Sequence, residues 1–308
     1  MATPMNENTS NAIRVLLVGK GWIGSQVMEV LKTRPDVALV QESAVRADDL
    51  AALREEIRAV KPTHIISTMG RTHGVIDGAV IPTIDYLEYP GKLRENVRDN
   101  LFAPLAMAKL CTDADIHLTY LGTGCIFEFD EAHADADHGF KESDKPNFFG
   151  SGYSIVKGFT DQLMALYEDS VLNVRIRMPI TAAPSPRDFI TKIVTYEKIC
   201  SMENSMTVLD ELIPIMVDMA LTKKTGTVNL TNPGTISHEE ILTMYKEIVD
   251  SSKTWRTMTY EEQSQILKSK RSNNALDTSK LVVWYPWVKN IRDAVRETLI
   301  RRKELASP

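Results

Sequence analysis

A chain of 308 residues, 43% hydrophobic and 25% charged, is long enough for one large domain or two linked ones with a full core. A net charge of −5 without any basic run sets nucleic acid aside, and no apolar run approaches the ~20 residues needed to cross a bilayer. Three cysteines (Cys111, Cys125, Cys200) without CxxC spacing signal neither a metal site nor a redox dithiol, and they suit a reducing, cytoplasmic compartment.

Residues 1–12 are polar and read as a disordered tail, without the apolar core of a secretory leader. The first strand is "RVLLVG" at 14–19, followed by a helix at 22–33. Strands at 37–41 and 64–70 flank a helix at 47–59. A long helix covers 92–111, where Pro104 predicts a kink or a late start. Strand 116–122, helix 151–168 and strand 172–178 continue the alternation. The strands are apolar almost throughout, which points to burial on both faces. The fold class is therefore α/β, with a Rossmann-type doubly wound parallel sheet.

After Met178 the rhythm changes. Helices at 187–199, 209–221, 238–249, 259–268 and 289–304 surround a short strand at 227–231. The expectation is a sheet domain of 13–180 plus 206–232, and a smaller mixed α/β lobe of 181–205 plus 233–304. Ligands in such folds bind beyond the carboxyl ends of the strands, so the cleft between the two is the expected active site.

"VLLVGKGWIGSQV" holds Gly19, Gly21 and Gly24 as G-x-G-x-x-G, after an apolar strand and at the start of a helix. That context is what a dinucleotide fingerprint requires. Trp22 and Ile23 in the same turn, and Met69 and Gly70 at the end of the third strand, join the cofactor-binding candidates. Glu42 is placed to bond a ribose 2′-hydroxyl, which favours NADH. Arg46 is placed to meet a 2′-phosphate, which favours NADPH. The reading leans to NADPH because Arg46 has little else to do there. Asp48 and Asp49 cap the next helix in either case. Met178, Pro179 and Ile180 are expected to pack against the nicotinamide.

"GSGYSIVKGF" carries Tyr153 and Lys157, four residues apart on an uninterrupted helical pattern and so on one face. A second pair, Tyr285 and Lys289, is separated by Pro286 and is set aside. A free tyrosine titrates near ~10, and a neighbouring ammonium lowers that value. Tyr153 then protonates a carbonyl oxygen while hydride reaches its carbon. Thr123, after the fourth strand, is placed to bond the same oxygen. Asn100 is placed to hold a water behind the lysine.

These residues resemble the extended short-chain dehydrogenase/reductases that act on nucleotide sugars. Longer stretches sharpen the likeness: "GWIG", "TGCIFE", "FKESDKPNFFGSGYS", "RIRMPI", "NSMTVLDELIPI" and "RSNNALDTSKL". They look like the bifunctional nucleotide-rhamnose synthases of plants and large DNA viruses, over about residues 13 to 300. "GKGWIG" departs from the family's pattern by one residue between its first two glycines. The resemblance implies 3,5-epimerisation of a UDP- or dTDP-4-keto-6-deoxyglucose, then reduction of the 4-keto group by NADPH.

Inversion beside a ketone needs a base on one face and an acid on the other. Cys125 borders the expected sugar site, and a thiolate is a competent base when a cation or dipole lowers its pKa below ~8.5. "NVRIRMPITAAPSPRDFITKI" carries the chain from a strand through a proline loop to Lys192. By resemblance, Cys125 and Lys192 match the family's epimerase pair. Arg187 and Arg271 are candidates for the substrate diphosphate, with Asn273 and Asn274 assisting. Glu128 and His73 are candidates for the sugar pocket. A homodimer through helices 92–111 and 151–168 is expected, with a separate 4,6-dehydratase upstream. A plain keto-reductase and a non-catalytic NADP-binding subunit are the competing readings.

Overall fold

In a computed structural model covering residues 12–306, the apolar runs form the expected sheet. Strand β1 (Ile13–Val18) leads to helix α1 (Trp22–Lys32), β2 (Val37–Glu42), α2 (Leu50–Val60) and β3 (His64–Ser67). A small antiparallel hairpin follows, β4 (Gly74–Ile76) and β5 (Ala79–Ile81). Next come α3 (Leu93–Val97), a π-helical turn at 98–102, α4 (Ala103–Asp113), β6 (His117–Thr123), α5 (Gly152–Met164) and β7 (Val171–Ile176). The chain continues through β8 (Pro179–Ile180), α6 (Phe189–Ile193), β9 (Lys198–Cys200), β10 (Thr207–Val208), α7 (Leu209–Leu221) and β11 (Gly226–Asn229). It closes with α8 (His238–Ile248), β12 (Arg256–Met258), α9 (Tyr260–Ile266), α10 (Ser279–Trp284) and α11 (Ile291–Ala306). The expected tail lies, but for Ala12, outside the described residues, and no described helix is long and apolar enough to cross a membrane.

The main sheet runs β11-β7-β6-β3-β1-β2, and every neighbouring pair is parallel. Strand order reverses between β1 and β3, so the crevice beyond their ends is the natural ligand site. One face buries Val27, Leu31, Leu212 and Met216 from α1 and α7 against Val15, Leu17 and Val174. The other buries Leu53, Met107 and Cys111 from α2 and α4 against Leu16, Ile65 and Leu118. A third core, around Ile190, Ile193, Ile241 and Leu299, joins α6, α8 and α11.

Several boundaries differ from expectation. Helix α2 begins at Leu50, because Asp49 rather than Asp48 caps it, accepting from the Ala52 amide at 3.0 Å. The helix expected at 187–199 is one short turn, because 198–200 leaves it to pair with β12. Strand β7 stops at Ile176, and Met178 turns the chain in the left-handed region at φ 38°. Helix α10, just before Pro286, had no expectation.

Pro104 produces the irregularity expected of it. It has no N–H to give to the Asn100 carbonyl, and the chain widens into a π turn at 98–102 in which Ala103 donates to Arg98. The freed Asn100 carbonyl accepts from Thr160 Oγ1 at 2.6 Å instead, which ties α5 to this helix.

Candidate active site

The glycine turn fits a dinucleotide. Gly19 has φ 118°, and a Cβ there would stand 2.7 Å from Thr68 Oγ1. A Cβ on Gly24 would lie 2.0 Å from the Gly19 carbonyl oxygen, so α1 can approach the turn only without one. A Cβ on Gly21 would meet nothing within 4 Å. Gly21 opens α1 without a capping side chain, which leaves the first-turn N–H groups without a side-chain acceptor, and such a helix start suits a pyrophosphate. Trp22 and Ile23 partly pack on the sheet core beneath this turn. Met69 and Gly70 lie on the facing loop after β3, with Gly70 exposed. Arg46 is not idle as expected: it pairs with Asp48 at 2.7 Å and reaches Asp99 at 3.5 Å. Its side chain is still 59% exposed.

Tyr153, Lys157 and Asp161 follow one another at four-residue spacing on the buried face of α5. Ser151 caps the helix, and Ser154 Oγ donates to the Cys125 carbonyl at 2.7 Å, which fixes the helix start against the loop after β6. In that loop the Cys125 amide donates to Thr123 Oγ1 at 3.1 Å. Thr123 also hydrogen-bonds Tyr153, and Cys125 packs beside the Tyr153 ring. Thr123, Cys125, Tyr153 and Lys157 thus come together at the end of β6.

Burial pushes the Tyr153 phenol up, and Cys125 adds to this, while the Thr123 hydrogen bond works the other way. This corrects the expectation that Lys157 depresses it. Lys157 Nζ is instead engaged by the hydroxyl of Tyr120 and lies 4.5 Å from the centre of that ring. Burial brings Lys157 down to about 8, against the opposing pull of Asp161 and Cys125. Such an amine changes charge near neutral pH, which suits a proton relay.

Tyr120 and Asp161 were missed by sequence reasoning. Tyr120 reads as one more core aromatic of a buried strand. Asp161 had a signal, since it continues the Tyr-x-x-x-Lys spacing by another turn. It makes a buried ion pair with Arg175 at 2.6 Å. The second Tyr–Lys pair is structural: Tyr285 bonds Asp218 at 2.9 Å and Lys289 pairs with Glu297.

Asn100 is placed differently from its expected water-holding role. Its amide group donates to the Arg71 carbonyl and to Asn96 Oδ1, both at 2.9 Å, and accepts from the Arg71 N–H at 2.8 Å. It clamps the loop that carries Gly70 and His73. Asn274 is likewise a loop holder, fully buried, donating to the carbonyls of Gly124 and Phe127. Asn273 accepts from Asn204 at 2.9 Å. Glu128 is exposed, with its backbone held by Asn147. Met178 and Pro179 are half-buried at the exit of the sheet and Ile180 is buried.

Two contacts join the sheet side to the opposite wall. His73 accepts from Arg187, and Asp85 pairs with Arg271 at 2.5 Å. Burial pushes the Asp85 carboxyl up, but hydrogen bonds from Arg271, Thr83 and Ser269 prevail and hold it at about 2. Burial, then Arg187, Arg71 and Lys192, bring His73 down to about 4, so a neutral imidazole faces the guanidinium. Lys192 is also lowered, first by burial and then by Arg187, with Asp188 opposing. Among the described residues neither Lys192 nor Arg187 has a carboxylate within ion-pair distance, so both charges remain available to an anion.

No family model matches the chain. It is 52% identical over 284 residues to protein L780 of Acanthamoeba polyphaga mimivirus, covering 92% of this chain and 96% of that one. The crystal structure of L780, described as a UDP-rhamnose synthase, superposes with a TM-score of 0.88 over 94% of this chain and 99% of that one. A bifunctional dTDP-4-dehydrorhamnose 3,5-epimerase/reductase of Arabidopsis thaliana is 38% identical over 298 residues, covering 96% and 95%. A dTDP-4-dehydrorhamnose reductase from Clostridium acetobutylicum shares the fold, with a TM-score of 0.75 at 15% identity over 93% of this chain and 98% of that one. Full-length likeness at this identity matches the glycine turn, the Tyr153–Lys157 helix and the Cys125 loop: the chain belongs to the bifunctional nucleotide-rhamnose synthase family of epimerase/reductases.

Proposed function

We propose that this enzyme inverts carbons 3 and 5 of a nucleotide-linked 4-keto-6-deoxyglucose and then reduces the 4-ketone to give nucleotide-linked L-rhamnose. The observation that carries this reading is that two chemistries flank one bridge: Asp85, paired with Arg271, precedes Tyr86, which packs with Tyr153 and Cys125, while Arg271 acts on Lys192. Cys125 borders Tyr153, and a lysine of lowered pKa without a carboxylate partner stands on the lobe of 181–205 plus 233–304. Cys125 Sγ takes the proton from the carbon beside the ketone, forming S–H and an enolate. Lys192 Nζ delivers a proton to the opposite face of that carbon, and both groups recover by exchange with water. Each such group contributes ~10²–10⁴-fold. Bound NADPH supplies the hydride for the second stage. Tyr153 Oη then gives its proton to the ketone oxygen, and Lys157 relays another to the phenol.

NADPH is favoured over NADH because Arg46 lies exposed just past β2. Its surface pair with Asp48 is worth ~1 kcal/mol or less and is readily exchanged for a 2′-phosphate. The description of the mimivirus relative favours UDP over dTDP. In this reading Arg187 and Arg271 hold the diphosphate and His73 lines the sugar pocket. A separate 4,6-dehydratase supplies the keto-sugar. Leu93, Val97, Phe102, Ile155, Phe159 and Leu163 are exposed on α3, α5 and the π turn between α3 and α4, and a homodimer would bury them.

The test is incubation with UDP-4-keto-6-deoxyglucose and NADPH in deuterated water, with NMR of the product. UDP-rhamnose carrying deuterium at carbons 3 and 5 supports both stages, and Cys125→Ala and Lys192→Ala should each stop inversion. A reduced sugar that is neither inverted nor deuterated would leave a plain keto-reductase.

A further inference from the structure

Lys192 sits on α6, a helix of five residues. Helices shorter than ~12–15 residues do not hold themselves, so its direction is set by anchors outside it. The main anchor is Asp188, fully buried at the helix N-cap. Asp188 Oδ2 accepts from the Thr191 amide at 2.6 Å and from Thr191 Oγ1 at 2.7 Å, while Oδ1 accepts from the Thr181 amide at 2.9 Å. The Lys192 amide donates to the Asp188 carbonyl at 3.2 Å.

A fully buried carboxylate needs a cation, and this one comes from far along the chain. Arg302, 4% exposed on the last turns of α11, places Nη2 2.6 Å from Asp188 Oδ2 and 2.6 Å from the Thr181 carbonyl. Its Nη1 reaches Thr191 Oγ1 at 3.3 Å. One guanidinium thus grips the exit of β8, the cap of α6 and its first turn. It makes no contact with Thr123, Cys125, Tyr153 or Lys157.

We propose that Arg302 is a positioning residue for Lys192, and through it for the epimerase stage alone. This rests on the reading of Lys192 as the proton donor. Without Arg302, Asp188 is a buried carboxylate lacking its cation, a strongly disfavoured state. Lys192 already feels Asp188 and is an available substitute. Turning Lys192 inward toward Asp188 removes its ammonium from the sugar. Ketone reduction, whose Tyr153 and Lys157 stand on α5, should lose less, since Arg302 touches that stage only through the end of β8.

The experiment compares two rates in the full-length enzyme and its Arg302→Met and Arg302→Lys variants. One is formation of inverted, deuterated product from UDP-4-keto-6-deoxyglucose in deuterated water. The other is reduction of UDP-4-keto-L-rhamnose, which needs no inversion. The ratio of inversion to reduction should fall ~10–100-fold in Arg302→Met, as expected for a misplaced acid. Arg302→Lys keeps the charge but not the fork, so it should fall less. A purely structural role would lower both rates together. An unchanged ratio in the folded variants overturns the proposal, and Arg302→Lys alone decides it if Arg302→Met does not fold. Lys192→Ala runs alongside. If it leaves inversion intact, the proton-donor reading falls and the Arg302 proposal with it. If it stops inversion while the Arg302 ratio stays put, the Arg302 proposal alone falls.

Discussion

The two walls of the cleft are built on different terms. Thr123, Tyr153 and Lys157 stand on β6 and α5, whose backbones are fixed by the sheet ladder and by the bonds of Ser154 and Thr160. His73, Arg187 and Arg271 stand on loops, and Lys192 on a single turn, all held by side-chain bonds. The sheet wall keeps one geometry, which the proposed hydride transfer would need. The loop wall makes bonds that substrate groups can replace, which is what an entrance requires.

The sharpest way to break this comparison is chemical. Tyr153→Phe should cut ketone reduction by ~10²–10⁴-fold while inverted, deuterated keto-sugar still forms. Nicotinamide absorbance and NMR read the two stages separately, and an equal loss of both would erase the division. Next in size is stability. Arg175→Met strips the partner from Asp161, where the side chains are 2% and 7% exposed, and should cost about 3–5 kcal/mol in denaturant unfolding. Arg271→Met, on the loop wall, breaks a pair at 24% and 13% exposure and should cost only about 1–2 kcal/mol. Similar losses would mean the two walls are equally rigid.

Acid should act on the sheet through His64, on the loop wall through His73 and on the third core through His238, each lowered to about 4. His64 and His117 sit opposite each other on β3 and β6, at the end away from the site. Burial, then His117, brings His64 down to about 4 from an ordinary 6.5. The folded value lies below the unfolded one, so this stability is complete above pH 6.5 and is lost as pH falls toward 4. The loss is about 3 kcal/mol from His64 alone. Unfolding measured between pH 7 and 4 should show it, and His64→Asn should reduce the slope while His73, His117 and His238 keep the remainder. His73→Asn is the smallest test. Its loop bond to Arg187 should be worth about 1 kcal/mol or less at neutral pH, and a larger loss would make that bond a structural rivet.

The sheet wall was legible in the sequence and the loop wall less so, for physical reasons. Strands buried on both faces, the glycine turn and the Tyr153–Lys157 spacing each leave a local pattern. Pairs of two or three residues such as β8–β10 and β9–β12 form only because tertiary packing brings them together. Asn100 and Asn274 were picked out for the site, yet their side chains hold the backbone of loops. An amide that binds a ligand and one that binds a loop look alike until their partners are known. Arg302 left no signal, because its partner Asp188 is 114 residues away.

The π turn ahead of Pro104 works as an index mark. It holds one residue more than an α-helix would use over the same rise, and Asn96 and Asn100 lie at or before it. Deleting one residue from 98–102 would take away the π turn that accommodates Pro104, and would rotate everything upstream by about 100° about the helix axis. Asn100 would then face away from Arg71, and the clamp on the loop after β3 would open without any change in composition at the site. The placement of the loop after β3 therefore depends on a residue count in the helix that clamps it.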